Sequence, residues 1–275
     1  MDLTVNGHTI YCYTGGKPFE VAKPTVVFLH GVLNDHSVWI LQSRYLAHHG
    51  FNVLAVDLPG HCRSAGEPPS SVEDAADFVT ALLGAAGVQR AALVGHSWGS
   101  LIALEAAARL KERVTHLVLV GTAAPMRVSP ALLEASLIEP MKALRMINVF
   151  SRSTLAAPPS ALGPGTWVYG ASMALGRRVL ASNPRVNLFH RGFKACDDYA
   201  NAEAAVTAIT CPVLFVLGAQ DQMTSPKAAQ PLVEKARATG KTVAVESLPV
   251  GHHQMTEAPD RTLTAMKAFL ATRPD

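Results

Sequence analysis

Short apolar runs alternate along this chain with longer alanine-rich segments of helical character. The runs are apolar at consecutive positions and rich in β-branched residues, which is typical of strands buried on both faces of a parallel sheet. We predict six such strands, at residues 25–29, 52–56, 91–94, 117–120, 213–217 and 243–248. The segments between them predict helices at residues 37–49, 71–86, 97–110, 226–239 and 259–271. Several of these helices begin with Ser or Pro, residues that suit a first helical turn.

The first fifteen residues have a different pattern. Asn6-Gly7 is a strong signal for a tight turn between two antiparallel strands, so residues 1–15 predict a hairpin. Together with the alternating strands and helices, this predicts an α/β fold. We expect a doubly wound, mostly parallel sheet with an antiparallel edge.

The alternation stops between Thr122 and Pro212, where no clear strand occurs. Much of this segment is helix-like, as at residues 131–150, and residues 156–165 are rich in turn residues. A structureless loop of such length would be exceptional in a compact domain. We therefore predict a helical cap at residues 125–206, inserted after the sixth strand of the sheet. Residues 1–124 and 207–275 would form the core.

Composition and charge narrow the class of protein. Of the 275 residues, 49% are hydrophobic and only 16% are charged, against roughly 25% charged in typical domains. This excludes a disordered chain, and the length is sufficient for a large core without disulfides. The net charge of +3 is spread without clusters. A nucleic-acid partner is therefore not expected.

Signals for a membrane or for export are not found. The longest apolar stretch, residues 79–88, is well below the ~18 residues of a membrane helix. The N-terminus lacks the basic and apolar segments of a signal peptide. The four cysteines and the eleven histidines lack metal-ligand spacing. We expect a cytoplasmic protein with reduced thiols, no membrane insertion and no metal.

The clearest chemical signal is Gly95-His96-Ser97-Trp98-Gly99, which matches G-x-S-x-G between a predicted strand and a predicted helix. This context is the one that the motif requires. Small residues on both sides allow a sharp turn that projects the Ser97 hydroxyl at a helix N-terminus, where an anion is favoured. Ser97 is therefore the candidate nucleophile.

A serine hydroxyl needs a base and an orienting acid. Gly251-His252-His253 follows the last predicted strand, and Asp221 lies just past the strand at residues 213–217. The order Ser97, Asp221, His252 is the order expected for a G-x-S-x-G hydrolase. Asp57 and Asp198 are rival candidates for the acid.

The oxyanion of an acyl-transfer reaction needs backbone N–H donors. Trp98 follows the candidate nucleophile directly. Val32 follows His30-Gly31 at the end of the strand at residues 25–29. The amides of Val32 and Trp98 are therefore the candidate oxyanion hole. Trp167, Tyr169 and Met173 in the predicted cap are candidates for an apolar substrate pocket, or for the core of the cap.

Five segments of the chain together resemble α/β-hydrolase-fold enzymes over nearly the whole length. They are His30-Gly31 with Trp39, residues 57–64, residues 95–99, residues 218–221 with Pro226, and Gly251-His252 with residues 257–259. The resemblance implies acyl transfer through a serine ester, with water as the second nucleophile, and a cap that shapes the pocket. In this family a Gly directly precedes the catalytic His, which selects His252 over His253.

Two departures from the family pattern are informative. Cys62 stands where D-x-P-G-x-G-x-S normally has Gly, and Cys is small enough to be tolerated there. The loop after His30-Gly31 lacks the motifs of proline iminopeptidases and of hormone-sensitive-lipase-like esterases. Ser at position 97 disfavours haloalkane dehalogenases and epoxide hydrolases, which use Asp as the nucleophile.

The sequence thus predicts a serine carboxylesterase that acts on a small or medium apolar ester without a cofactor. A C–C bond hydrolase or an enol-lactonase of aromatic degradation would share the same residues. The alternative from another functional class is a ligand receptor that has kept the fold and lost catalytic turnover. No heptad pattern predicts an oligomeric state.

Overall fold

A computed structural model describes residues 1–153 and 167–272. The turn-rich segment at residues 156–165 lies outside these ranges. Eight strands are present in the described chain. They are β1 (Asp2–Val5), β2 (His8–Tyr13), β3 (Thr25–Leu29), β4 (Asn52–Val56), β5 (Ala91–His96), β6 (Val114–Val120), β7 (Val213–Gly218) and β8 (Val243–Leu248).

Eleven α-helices are present in the described ranges. They are α1 (Ile40–His48), α2 (Val72–Ala85), α3 (Trp98–Leu110), α4 (Pro130–Ile138), α5 (Pro140–Ser151), α6 (Val168–Ser182), α7 (Leu188–Asp198), α8 (Ala202–Ala208), α9 (Pro226–Ala238), α10 (Gln254–Glu257) and α11 (Pro259–Leu270). Short 3₁₀ turns precede α1 and β6. None of the helices in the described ranges is long and apolar enough to cross a membrane.

The strands form one sheet in the order β1-β2-β4-β3-β5-β6-β7-β8. Strands β1 and β2 are antiparallel, β2 joins β4 antiparallel, and every other pairing is parallel. This confirms the predicted doubly wound sheet with an antiparallel edge. The parallel pairing brings the carboxyl ends of β3 and β5–β8 to one edge, where ligands bind in open α/β sheets.

Both faces of the central sheet are buried, because helices cover each of them. In β3, Val26 and Phe28 pack into the apolar cluster beneath α1 and α11, whereas Val27 and Leu29 pack into the cluster beneath α2, α3, α8 and α9. Alternation of side chains across a pleated strand explains this division. It also explains why the strands were visible in the sequence as continuous apolar runs.

Local signals in the sequence correspond closely to the element ends. Asn6 and Gly7 both have positive φ, at 49° and 81°, as a tight hairpin turn requires. The Ser71 hydroxyl accepts a hydrogen bond from the Asp74 amide at 3.1 Å and caps α2.

One predicted helix is divided in two. The helix-like stretch at residues 131–150 forms α4 and α5, with a break at Glu139 (φ −134°, ψ 58°). The break has a local cause, since proline disfavours a helical conformation in the residue before it and lacks an N–H of its own. Pro140 is accordingly the first residue of α5.

Helices α4–α7 lie between β6 and α8 in the chain and have an apolar cluster of their own. That cluster contains Leu144, Val179 and Phe189, and Leu33 from the loop after β3 packs into it. The buried residues of α8 belong instead to the cluster of α3 and the sheet. Contact between Leu33 and the helices α4–α7 fixes how these helices sit over the carboxyl edge of the sheet.

Backbone segments approach one another closely at the turn between β5 and α3. A Cβ added to Gly95 would lie 2.0 Å from the carbonyl oxygen of Gly99, and a Cβ added to Gly99 would lie 2.3 Å from the carbonyl oxygen of Leu29. These contacts are with backbone atoms, which cannot rotate away. Only glycine therefore fits at either position.

We expect Gly99→Ala to lower the free energy of unfolding by about 3 kcal/mol, because an added methyl group must push β3 and α3 apart. Urea unfolding measures the effect. The matched control is Gly84→Ala in α2, where an added Cβ meets nothing within 4 Å. That change should raise stability by up to about 1 kcal/mol, since Ala is the better helix former. Equal effects of the two substitutions would contradict the prediction.

Candidate active site

Ser97 stands at the turn between β5 and α3 in a strained conformation. Its φ of 53° and ψ of −121° lie outside the regions that residues other than glycine normally occupy. The Ser97 amide donates to the carbonyl of Val120 in β6 at 2.9 Å, which ties the turn to the neighbouring strand. The half-buried side chain is held at the N-terminus of α3, where partial positive charge favours a developing anion.

His252 and Asp221 meet at the same edge of the sheet. His252 lies in the loop after β8 and Asp221 in the loop after β7, and both are buried. His252 Nδ1 donates to Asp221 Oδ2 at 2.8 Å. This leaves Nε2 as the ring nitrogen available for a proton from a nucleophile.

The Asp221 carboxylate is held ionised by its neighbours. Burial by itself would raise the pKa of Asp221, but the charge and hydrogen bond of His252 and the hydrogen bonds from Thr224 lower that pKa to about 2. The amides of Met223 and Thr224 donate to Oδ1 at 2.8 and 2.9 Å. An ionised, fixed carboxylate can orient the imidazole and stabilise its protonated form.

The backbone of His252 is held from two sides. Its amide donates to the carbonyl of Ser151, the last residue of α5, at 2.7 Å. Its carbonyl accepts from Nε2 of His96 at 2.8 Å. Gly121 lies beside the ring, and a Cβ there would be 3.2 Å from His252 Nδ1. Helix α5 therefore takes part in positioning the histidine.

Three positioning residues near His252 were not singled out in the sequence. The Thr224 hydroxyl donates to Asp221 Oδ2 at 2.8 Å and lies 3.1 Å from His252 Nδ1. His96 and Ser151 hold the backbone, as described above. His96 ends β5 and Thr224 lies in the loop after β7, so both are placed at the carboxyl edge of the sheet, where a site is expected. The specific contacts depend on tertiary packing, which the sequence pattern does not encode.

The other acids considered from the sequence are engaged elsewhere. Asp57 Oδ1 accepts from the amide and from Nδ1 of His36, at 2.9 and 2.8 Å. Asp198 lies at the end of α7 and pairs with Lys194, which is exposed. Neither carboxylate contacts His252, which is bound to Asp221.

His253, which directly follows His252, lies in a different environment. His253 does not contact Asp221, and its Nδ1 is buried without a hydrogen-bond partner in the described chain. Burial, together with the nearby Arg152, His96 and His252, lowers the pKa of His253 well below its usual value. His253 is therefore neutral and is not placed as a base for Ser97.

The two predicted oxyanion donors both lie beside Ser97. Trp98 is the first residue of α3. Gly31, which precedes Val32, passes so close that an added Cβ would be 3.1 Å from the Cβ of Ser97. Within residues 1–153 and 167–272, no acceptor engages the amide of Val32 or of Trp98. Both N–H groups thus have a donor hydrogen to offer to an oxyanion.

Ser97 and His252 line one cavity of about 250 Å³, which we call the Ser97 cavity. Its apolar lining comes from the segment after β6, the loop after β7 and the helices α4, α5 and α7. These residues are Met126, Val128, Leu132, Phe150, Phe193 and Met223. The cavity suits the apolar part of a small ligand.

The cap residues predicted for this pocket lie elsewhere. Trp167 is 64% exposed and its ring stacks on that of Tyr169 at 5.5 Å. Met173 packs in the apolar cluster of α4–α7, where its Sδ accepts from Asn148 at 3.4 Å. None of the three lines the Ser97 cavity, because α6 packs against α5, and Phe150 and Phe193 occupy the wall beside Ser97.

Cys62 occupies a left-handed backbone position, with φ of 47°. Glycine adopts this conformation without strain, which agrees with the Gly of the family pattern. The thiol lies 3.6 Å from Asp35 Oδ2, and burial raises its pKa to about 12. Cys62 is thus a protonated thiol. It is not among the residues that line the Ser97 cavity.

The sequence profile described as alpha/beta hydrolase fold matches residues 24–258. The chain belongs to the alpha/beta hydrolase family. The match extends from β3 to α10 and so includes Ser97, Asp221 and His252.

Curated members of the family resemble parts of this alpha/beta hydrolase. A protein of Mycobacterium phage D29, provisionally named a non-heme haloperoxidase, is 37% identical over 113 residues, 38% of this chain and 41% of its own. An epoxide hydrolase of Caballeronia sordidicola is 30% identical over 116 residues, 41% of this chain and 33% of its own. The chain spans less than half the length of the curated relatives that it matches.

Solved structures resemble the hydrolase over its whole length. The enol-lactonase from Burkholderia xenovorans LB400 has a TM-score of 0.79 at 21% identity, covering 99% of this chain and 100% of that one. The esterase EaEST from Exiguobacterium antarcticum has a TM-score of 0.82 at 18% identity, covering 99% of both. At these identities the likeness shows the fold.

Two buried histidines of this hydrolase should make its stability sensitive to acid. Burial lowers the pKa of His61 and of His96 to about 3, against about 6.5 in an unfolded chain. Below pH 6.5 the unfolded state therefore binds protons that the native state does not. The free energy of unfolding should fall by about 1.4 kcal/mol per pH unit for each imidazole as the pH drops towards 3.

Urea unfolding at several pH values tests this coupling. His61→Gln removes one of the buried imidazoles with a lowered pKa, so the slope below pH 6.5 should decrease by about 1.4 kcal/mol per pH unit. The difference between the proteins at pH 8 gives the packing cost of the substitution itself. An unchanged slope would show that His61 does not contribute.

Proposed function

We propose that this alpha/beta hydrolase is a serine carboxylesterase that cleaves small to medium esters with an apolar portion. One observation carries the proposal. Ser97, held on a strained turn, shares a cavity with His252, whose Nδ1 donates to a buried, ionised Asp221. The apolar walls of the Ser97 cavity support an apolar substrate portion.

In the proposed reaction, Ser97 Oγ attacks the ester carbonyl while His252 Nε2 takes its proton. The oxyanion accepts hydrogen bonds from the amides of Val32 and Trp98. The C–O bond to the alcohol then breaks, and His252 returns the proton to the leaving alkoxide. Water next attacks the acyl-serine through the same base, which releases the carboxylic acid and restores Ser97.

Asp221 remains ionised throughout, and its role is to hold the imidazole tautomer and to stabilise the imidazolium. The low pKa of Asp221, about 2, supports this role at neutral pH. Each step uses only protein groups and water, so the proposal includes no cofactor. The substrate is a small-molecule ester.

Replacement of the nucleophile is the direct test. We expect Ser97→Ala to lower kcat/KM on p-nitrophenyl esters by at least about a thousandfold, because the acyl-enzyme cannot form. The series should run from acetate to octanoate, and the chain length at which the rate is highest measures the acyl pocket. The control is Ser70→Ala at an exposed serine before α2, which should keep the wild-type rate.

A fluorophosphonate probe gives a second readout that needs no substrate preference. It should label the wild-type protein and the control, and mass spectrometry should place the label on Ser97. Full esterase activity in Ser97→Ala would contradict the proposed nucleophile. A labelled protein that turns over no ester would contradict the proposed substrate class.

Thr224 should act as a positioning residue in this reaction. Thr224→Val keeps the shape of the side chain but removes the hydroxyl that donates to Asp221 Oδ2. We expect kcat to fall about tenfold with KM unchanged, because a lost hydrogen bond of about 1.4 kcal/mol loosens the Asp221–His252 pair. Thr224→Ser should restore most of kcat. A change confined to KM or to the unfolding temperature would contradict this role.

A further inference from the structure

A second and larger cavity lies on the other side of the oxyanion loop. It has a volume of about 430 Å³ and lies between the loop after β3 and the helices α5 and α6. We call it the cap cavity. Its lining includes Val32, Asn34, Arg152, Ser172 and His253. A cavity of this size can hold a small organic group.

The cap cavity lies next to the reacting atoms. Val32, whose amide is a proposed oxyanion donor, lines it. A Cβ placed on Gly31 would contact both the Cβ of Ser97, at 3.1 Å, and Nδ2 of Asn34, at 3.3 Å. Asn34 in the cap cavity and Ser97 in the Ser97 cavity therefore flank the same glycine. The two cavities therefore adjoin at the loop after β3.

Arg152, directly after α5, is the unusual member of the lining. Its side chain is half-buried, and Nη1 donates to the Thr256 hydroxyl at 3.2 Å. Among the residues that the structure describes, its buried Nε has no hydrogen-bond partner. No carboxylate in the described chain lies within 4.0 Å of its guanidinium nitrogens. Burial lowers the pKa of Arg152 to about 10, partly offset by Glu257, so the guanidinium is still charged at neutral pH.

The nearby carboxylate of Glu257 is already occupied by other donors. Its Oε2 accepts from the amide and the hydroxyl of Ser153, at 2.9 and 2.7 Å, and from the amide of Gly251 at 3.3 Å. Its Oε1 accepts from the amide of His253 at 3.2 Å. Glu257 thus holds the loop that carries His252 and leaves Arg152 without an ion pair.

The other arginine of the cap cavity has a partner. Arg178 of α6 pairs with Asp35 at 2.6 Å, and its side chain is 60% exposed. The described lining of the cap cavity contains no Asp or Glu side chain. Arg152 is therefore the arginine of this described lining that has no ion pair, and the carboxylate of Glu257 acts on it only at longer range. A half-buried charge without a partner in direct contact is unfavourable, and an anionic ligand that contacts it would relieve that cost.

We propose that the cap cavity binds a carboxylate of the substrate through Arg152, so that the natural substrate is an ester that also carries a free carboxylate. The inference rests on the proposed esterase function and specifies its substrate class. One unpaired guanidinium matches a single negative charge, and guanidinium recognises carboxylate through paired hydrogen bonds. The Ser97 cavity, in which Arg127 is exposed and donates to the Asp197 carbonyl, then receives the uncharged portion of the substrate.

Matched pairs of esters test the proposal. The first pair is mono-p-nitrophenyl glutarate and p-nitrophenyl valerate, which differ by a carboxylate on the acyl portion. The second pair is 4-acetoxybenzoate and its methyl ester, which differ on the alcohol portion. The wild-type enzyme should show the higher kcat/KM for the charged member of at least one pair.

Arg152→Gln should lower kcat/KM for that charged ester by ten- to a hundredfold, mainly through KM, as expected for a lost charge-assisted hydrogen bond. The rate for its uncharged partner should change less than about threefold. Arg152→Lys keeps the charge and should restore part of the preference. Arg145→Gln is the matched control, because Arg145 is exposed on the same helix and lines neither cavity. It should change neither rate.

A binding measurement separates this inference from the esterase proposal. Calorimetry should detect glutarate or 4-hydroxybenzoate on Ser97→Ala and not on the double variant Ser97→Ala/Arg152→Gln. Turnover of uncharged esters without any preference for charge would overturn the carboxylate site and leave the esterase intact. Equal losses for both members of a pair in Arg152→Gln would also overturn it. Arg152-dependent binding without turnover of any ester would overturn the esterase alone.

Discussion

The active-site geometry depends on one close approach of backbone to backbone. Strand β5, the turn at Ser97 and strand β3 meet where Gly95 and Gly99 leave no room for a Cβ. This contact lets the turn be sharp, and the sharp turn sets Ser97 in its strained conformation. The surrounding parallel strands and α3 maintain the strained conformation of Ser97, since the Ser97 amide donates to the carbonyl of Val120 in β6. Ser97, the N-terminus of α3 and the loop after β3 are therefore positioned together.

The position of His252 depends on a second set of contacts, and these come partly from α5. The carbonyl of Ser151 accepts from the amide of His252, while Glu257 binds Ser153 and the amides on both sides of His252. Helix α5 thus does more than cover the Ser97 cavity. A change in its position would alter the cavity wall at Phe150 and the anchoring of His252 at once. The shape of the Ser97 cavity and the position of His252 are coupled through this helix.

The two cavities differ in size and in the setting of their arginines. The Ser97 cavity has apolar walls and an exposed arginine, Arg127, whereas the cap cavity holds the half-buried guanidinium of Arg152, which has no ion pair in the described chain. Proteins rarely leave such a charge without a partner unless a ligand supplies one. Val32 lies where the two cavities adjoin. In the proposed binding mode, an ester with one portion in each cavity would be oriented across Ser97. Orientation of this kind contributes to catalysis by holding the carbonyl near its attacking group.

The sequence by itself determined the sheet, the turn at Ser97 and the order of Ser97, Asp221 and His252. These features have local signals: buried strands appear as apolar runs, tight turns require glycine, and parallel strands bring their carboxyl ends to one edge. Only the tertiary structure decided that Phe150 and Phe193, and not Trp167, line the Ser97 cavity, and that Arg152 lacks an ion pair. Such features depend on how each helix is rotated and which distant side chains it meets. That information lies in long-range packing, which the periodicity of residues along the chain does not report.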